Sequence, residues 1–570
     1  DCFGQSPERR RLECRSDRRT PYFLRDVEGR CSLEVVLFVN MVTYRLVLGL
    51  PVEGHRVVSS RGVTETYPLW YVARSGTPMR PPYGPRMRLY LRIGPLRFQA
   101  MIFPKEKIPG ILKKALSRGG DFAECYFENG GHSSVILEDQ KIEKVITGSS
   151  RGVGLRVISG LRTVYAYSNE TSPRSLMEMA GVVSRAVQRG AAEKVIPLVS
   201  KTPPFEMPVL TDPVSVPIRA KVDLALSADA AVRRVDPRIR QSKVLILDGR
   251  KEVLIANSLG ELAEDERVYL LAHVQAVAGD GNLIQTGAET LGGAVGYELF
   301  QAEPLEEAAR RAAVRAVLML FASPATAGRM PVVLSSRAGG TMIHEAVGHG
   351  LEADLVQQRL SVYSGRVGDC IASPTISVVD DSTVPYKRGS FRFDDEGTPS
   401  RRTVLIEQGV LKGYLYDRLS AMKDGAASTG NGRRESFRCR PIPRMTNTMI
   451  LPGREDPEEI IRATASGLFV VRMGGGQVNT VNGDFVFEVG EGYRIENGRI
   501  GEPVRGATLT GNGPAVLMQI DRVGNDLGYA VGTCGKDGQG APVADAQPTV
   551  RIPEMTVGGE VGDGTRRAAR

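Results

Sequence analysis

The chain has 570 residues, 42% hydrophobic and 24% charged, which is the balance of a soluble globular protein, and its length favours about three or four domains over a single core. Its formal charge is +9, but 17 arginines, no lysine and only 9 acidic residues fall between Asp1 and Phe103, so this first fifth carries +8 of the excess. The remainder is nearly neutral, which excludes a basic footprint for nucleic acid in the body of the protein.

Residues 1–103 stand apart. They hold Trp70, the one tryptophan, and Cys2, Cys14 and Cys31 of the seven cysteines, and they run through the proline-rich PLWYVARSGTPMRPPYGPRMR without a steady period. The stretch reads as a poorly ordered arginine-rich extension from a mis-assigned start, or as a basic interaction arm. Its apolar run CSLEVVLFVNMVTYRLVLGLPV is interrupted by Glu34, Asn40 and Arg45, and an arginine at the centre of a membrane span costs about 3 kcal/mol, so no membrane segment is expected. A signal-peptide pattern is missing, and Cys125, Cys370, Cys439 and Cys534 lie far apart, which suits free thiols in a reducing compartment; the expected location is the cytoplasm.

An α+β fold begins near Pro104. KEKIPGILKKALSRGG has helical spacing and a glycine stop, and FAECYFE, SSVILED, KIEKVITG and GVGLRVISG follow as short strands. A helix capped by Ser172, with Pro173 in its first turn, follows within this first unit, 104–205. The proline-rich KTPPFEMPVLTDPVSVP leads into a second α+β unit, 206–324, with a helix near Arg219 to Val235, strands KVLILD, KEVLIANS, RVYLLAHVQAVAG and LIQTGAET, and a long helix in PLEEAARRAAVRAVLMLFAS. A third, strand-rich unit covers 325–560, with 561–570 as a tail. It opens with strand PVVLSS and a helix at about Gly340 to Gln357. Strands then dominate: TVLIEQG paired with VLKGYLY, MTNTMILPG, LFVVRMGGG, GDFVFEVGEGYRIENGRI and AVLMQIDRVGNDLGYAVG.

The helix of the third unit carries TMIHEAVGHGLEADL, which gathers His344, Glu345 and His349 from a chain with five histidines. In the common zinc peptidase motif H-E-x-x-H the histidines are separated by about 40° around the helix; one residue further apart, they diverge by about 140°. A π-bulge or a distorted turn restores convergence, and Gly348 and Gly350 flank His349 where distortion is needed. Two imidazoles leave a catalytic zinc one ligand short, with Glu345 beside the first of them to move protons. Glu352, Asp354, the acids Asp394, Asp395 and Glu396 of the FDDEG loop, and Cys534 are the candidates. The alternatives are a cysteine hydrolase with Cys534 as nucleophile, and a non-catalytic subunit stabilised by zinc. MGGGQVN lacks the Lys-Ser/Thr of a phosphate loop, so Gly474, Gly475 and Gly476 read as a place of close backbone approach.

HEAVGHGLEADL, followed in order by FDDEGTPSRRTVLIEQGVLKGYLYD, STGNGRRESF, RMTNT and GTCGKDGQG, resembles the TldD/PmbA (TldE) family of metallopeptidases, and within it the TldD-type subunit. With KIEKVITGSSRGVGLRVISG near its start, the likeness runs from about Pro104 to Gly558. The resemblance implies that His344, His349 and Cys534 bind zinc (Zn2+), that Glu345 is the catalytic base and acid, and that the metal lies in an enclosed cavity. It also implies cleavage of short or unfolded peptides by a heterodimer with a TldE/PmbA-like subunit, or by a homodimer. An extended peptide paired with a sheet edge, along Gly474 to Gly476, suits such a substrate. Neither nucleic acid nor membrane is an expected partner.

Overall fold

The structure, a computed structural model, describes residues 103–187 and 195–559, together with the backbone of three strands, Phe23–Arg25, Cys31–Val39 and Val42–Gly49. These three pair antiparallel in a unit of their own, Asp1–Leu91. The other expectations for 1–102, and those for 561–570, fall outside the described residues.

The α+β character expected from the sequence is present, but the strands are longer than the sequence suggests. FAECYFE and SSVILED lie in one strand, Phe122–Glu138; KIEKVITG and GVGLRVISG share Lys141–Ser159; KVLILD and KEVLIANS share Ile239–Asn257. The glycines that read as turns lie in the middle of ladders. A Cβ on Gly130 would stand 3.0 Å from the Arg250 carbonyl oxygen, and one on Gly249 would stand 3.0 Å from that of Gly131, so these positions serve strand contact and not reversal. Together the strands form a single sheet in the order 283–293, 261–280, 239–257, 122–138, 141–159, 162–168, with Val199–Ser200 paired to the second of these. The first two units thus share one sheet, joined where Phe122–Glu138 pairs with Ile239–Asn257. Alanine-rich helices Ile218–Arg233 and Leu305–Phe321 pack closely over one part of it through Ala225, Ala228, Ala309 and Ala312. Helices Ile108–Ala115 and Pro173–Ala186 cover another part, and Ser172 caps the second of these by accepting from the Ser175 N–H, with Pro173 in the first turn as expected.

The C-terminal part holds two further large sheets, beside the short pair Gly432–Arg433 and Ile442–Pro443. In one, Asp484–Glu496, Ser466–Val478, Gly328–Leu334, Val550–Gly558 and Thr508–Asn512 pair in sequence, and the last returns to pair with the first, closing a five-stranded ring. Val332, Leu334, Val470, Phe485, Phe487 and Ile552 belong to its core. The other sheet has six strands and ends with the hairpin Gln539–Gln547 and Gly528–Lys536. AVLMQID, expected as a strand, is the helix Gly513–Gln519: Asn512 caps it and Pro514 occupies the first turn, a start signal that outweighs the β-branched residues. Among the described residues no helix is long and apolar enough to cross a membrane.

Candidate metal centre

The expected helix 340–357 is four short segments. Thr341–Ile343 is α-helical, His344–Gly348 is π-helical, His349–Leu351 is a 3-10 turn, and Ala353–Gln357 resumes the α-helix after Glu352 turns extended. The His349 N–H donates to the His344 carbonyl, closing an i to i+5 turn. This wider turn sets His349 above His344, as an α-helix would set residue i+4, and the two rings meet edge to face with centroids 4.9 Å apart. Glycine is required here by packing: a Cβ on Gly348 would lie 1.9 Å from Met445 Sδ, and one on Gly350 would lie 2.8 Å from the Tyr363 ring. Tyr363 in turn donates from its hydroxyl to the Ala346 carbonyl at 2.8 Å, satisfying a group that the irregular turn leaves free.

Cys534 reaches this segment from the strand Gly528–Lys536, not from a loop as its glycine-rich surroundings suggest. The glycines that permit the approach lie on the other side of the contact. A Cβ on Gly339 would stand 2.4 Å from Ala530 Cβ, and one on Gly340 would stand 2.4 Å from the Ala546 nitrogen, whereas Gly535 has open space. The result brings one donor atom each from His344, His349 and Cys534 within 4.8 Å of one another, the one such group of three among the described residues. Cys534 Sγ lies 3.4 Å from His349 Nε2. In a tetrahedral zinc site the corresponding S to N edge is about 3.6 Å, so this donor set fits zinc in kind and in spacing.

Each imidazole is backed by a carboxylate. His344 Nδ1 donates to Asp545 Oδ1 at 2.7 Å, and His349 Nδ1 donates to Glu352 Oε2 at 3.1 Å, which leaves both Nε2 atoms for the centre. Burial opposes a charge on His349, but the Glu352 carboxylate and Cys534 together outweigh it and lift the pKa to about 10; burial is likewise opposed at His344 by Asp545 and Cys534, and its pKa also rises. Burial alone would raise the Cys534 thiol, yet hydrogen bonds to His344 and His349 bring it down to about 6, toward the thiolate that a metal requires. Glu352 is fully buried and held to about 2: burial would raise it, and His349 and then Lys536 lower it. Lys536 bonds Glu352 at 3.1 Å and Asp354 at 2.6 Å, while Arg444 donates to the carbonyls of Cys534 and Gln539, tying the thiol strand to the histidine segment.

The residues singled out in the sequence separate as follows. His344, His349 and Cys534 converge, and Glu345 stands half-buried on the turn between the histidines without a hydrogen-bond or ionic partner among the described residues. Glu352 backs His349, Asp354 accepts from Lys536, and neither is in the donor group. Asp394, Asp395 and Glu396 are fully buried elsewhere: Asp395 lies against Arg267 and Arg434, Glu396 against Arg156, and Asp394 accepts from the backbone N–H groups of Glu396, Thr398 and Gly432, so the FDDEG loop is neither a ligand set nor a solvated turn. Gly474, Gly475 and Gly476 lie in the irregular strand Ser466–Val478; a Cβ on Gly476 would lie 1.8 Å from the Phe487 ring, whereas Gly475 faces open space. Asp545, Lys536 and Arg444 carry no local signal in the sequence, where nothing but a fold connects them to the histidines.

Comparison with known proteins places the chain among metallopeptidases. Models of the PmbA/TldA metallopeptidase family match domain 1 at residues 123–189, the central domain at 211–320 and the C-terminal domain at 327–559. A metalloprotease TldD homolog of Haemophilus influenzae is 36% identical over 451 residues, covering 78% of this chain and 94% of its own. A metalloprotease of Methanothermobacter thermautotrophicus is 36% identical over 441 residues, 77% of this chain and 96% of its own. Among solved structures, a Thermotoga maritima protein superposes with a TM-score of 0.67 at 23% identity over 80% of this chain and 99% of its own. TldE from Thermococcus kodakarensis superposes with a TM-score of 0.63 at 19% identity over 79% of this chain and 99% of its own. At those identities the two structures establish the shared fold.

Proposed function

Because the chain belongs to the PmbA/TldA metallopeptidase family, we propose that it is a zinc-dependent peptidase of the TldD type whose metal is held by His344, His349 and Cys534. The observation that carries this reading is the π-helical turn, which brings two histidines of an H-E-x-x-x-H motif and a distant thiol to one point. Zinc bound there would polarise the scissile carbonyl and acidify a nearby water. Glu345 takes the proton of the attacking water and passes it to the leaving amine, so water is consumed and one acid and one amine terminus are formed. Asp545 and Glu352 orient the two rings.

The substrates are short or unfolded peptides. An extended peptide along Gly474 to Gly476 pairs through its backbone, which tolerates many side chains. Gly475→Val enters open space, so it should leave the fold intact and weaken peptide affinity several-fold; unchanged affinity would remove this segment from the substrate site. The working assembly is a heterodimer with a TldE/PmbA-like subunit, or a homodimer, in the cytoplasm.

Glu345→Gln should keep about one zinc per chain and lower hydrolysis by roughly 10²–10⁴-fold, and full activity in that variant would end the role of Glu345. One observation favours a second reading: Cys534 Sγ is 3.4 Å from an imidazole nitrogen and its thiol is lowered to about 6, as in a cysteine hydrolase. Activity that survived exhaustive chelation but not thiol alkylation would select that reading.

A further inference from the structure

Seven arginines are buried among the described residues. Five of them follow one rule, each holding a carboxylate within 4.0 Å: Arg156 with Glu396 at 2.5 Å, Arg267 with Asp395 at 2.6 Å, Arg315 with Glu491 at 2.5 Å, Arg434 with Glu124 at 2.6 Å and Arg444 with Glu352 at 4.0 Å. The rule has a physical reason, since an uncompensated buried cation loses hydration that only an anion restores. Arg388 and Arg433 break it. Arg388, 7% exposed, donates from Nε to the Gly532 carbonyl at 3.1 Å and from Nη1 to the Leu270 carbonyl at 3.3 Å, and its Nη2 has no partner among the described residues. Arg433, 3% exposed, donates only to the carbonyls of Met445 and Pro542, at 2.6 and 2.7 Å. Asp395, whose charge reaches Arg433, is already taken by Arg267 and by the Arg434 N–H.

Both exceptions touch the same hairpin, the one that carries Cys534. A third cation joins them: Lys387, half-buried and without an ion pair among the described residues, sets its Nζ 4.0 Å above the Tyr529 ring on that hairpin. Burial lowers Lys387, and it brings Arg388 down to about 10, with the nearby Arg433 charge adding to the effect. The strand these groups lie against is not sealed, since Tyr529, Ala530, Val531 and Gly532 are half-exposed. Three cations without a counter-charge therefore flank a partly open strand, two residues from a metal ligand.

We propose that Arg388 and Arg433, with Lys387, receive the α-carboxylate of the peptide whose scissile bond lies at the His344, His349 and Cys534 centre. The proposal rests on the peptidase reading above. Guanidinium groups suit this task because their planar forks take carboxylates in pairs of charge-assisted hydrogen bonds. The step from Gly532 to Cys534 is about 7 Å of extended chain, the span of about two residues, so the enzyme would release short fragments from the C-terminal end of its substrates.

The test uses pairs of peptides of one sequence, with free or amidated C-termini, given to the zinc-loaded full-length protein. A third peptide, amidated but with an internal Glu, separates an α-carboxylate from a side-chain carboxylate. The expected result is at least about a tenfold higher kcat/KM for the free acid over both amidated peptides. In Arg388→Met and Arg433→Met that ratio should collapse towards one, a change that general destabilisation would not produce. Equal cleavage of acid and amide by the unaltered protein would overturn the proposal and leave the peptidase reading standing, and preference for the Glu-containing amide would overturn it in favour of side-chain recognition. Binding of the same peptides to the Glu345→Gln protein is read in parallel. Tighter binding of the free acid without turnover in any form of the enzyme would sink the peptidase reading and keep the carboxylate site; equal binding would sink the site.

Discussion

Two clusters of buried ionisable groups in this protein use similar residues to opposite ends. At the seam between the N-terminal sheet and the C-terminal part, Glu124, Arg156, Glu396, Arg434, Asp395 and Arg267 neutralise one another in a chain of contacts from 2.5 to 3.0 Å. At the candidate metal centre the carboxylates Asp545 and Glu352 bind the far nitrogens of the two histidines, and the near nitrogens are turned on a thiol instead. In the first cluster the charges are spent on each other, so it can only hold the molecule together. In the second they orient donors that face one another, an arrangement that a cation completes. What distinguishes a structural network from a site is therefore where its lone pairs point.

If that distinction holds, breaking the seam should act on folding and breaking the centre should act on metal. Arg156→Met strands Glu124 and Glu396 without one of their cations in a fully buried place, and should cost about 3–5 kcal/mol in urea unfolding. A loss below about 1 kcal/mol would show that the seam is not a main source of stability. Asp545→Asn should leave urea stability nearly unchanged but weaken zinc binding by roughly 10–100-fold in competition with a chromophoric chelator. Unaltered zinc affinity would mean that Asp545 does not orient His344.

The sequence announced the centre more clearly than the seam. One surplus residue between His344 and His349, with glycines around the second, was enough to expect a π-type turn, because helical angles are local geometry. The third candidate ligand was not legible that way: Cys534 ranks with five acids until a family resemblance or a fold brings its strand to the histidines. Glu352 was visible as a potential ligand but not as the backing of His349, since that depends on an extended residue breaking the helix and on Lys536 from another strand. FDDEG, polar and followed by Gly-Thr-Pro, has the composition of a surface turn; only the docking of the N-terminal sheet buries it. The same tertiary effect doubled the strands, because Gly130 and Gly249 are turn residues by composition and contact residues by position.

The smallest expected effect separates the two clusters by acid. Asp417, next to the seam, is fully buried, and burial followed by the charge of Glu396 lifts its pKa to about 7, while it still caps the helix Arg418–Asp424 by accepting from the Ser420 N–H at 2.7 Å. A carboxyl raised in the folded state holds a proton that the unfolded chain releases near its ordinary value of about 3.9. Between those values the folded state binds more protons, so stability falls as pH rises from about 4 to about 7. Asn caps a helix about as well as Asp but does not titrate. Asp417→Asn should therefore keep the fold and flatten the decline in unfolding free energy across that range, by on the order of 1 kcal/mol or more, while zinc content stays as it was. A decline as steep as in the unaltered protein would place the titration elsewhere in the seam, and a loss of zinc would show that the two clusters are not independent.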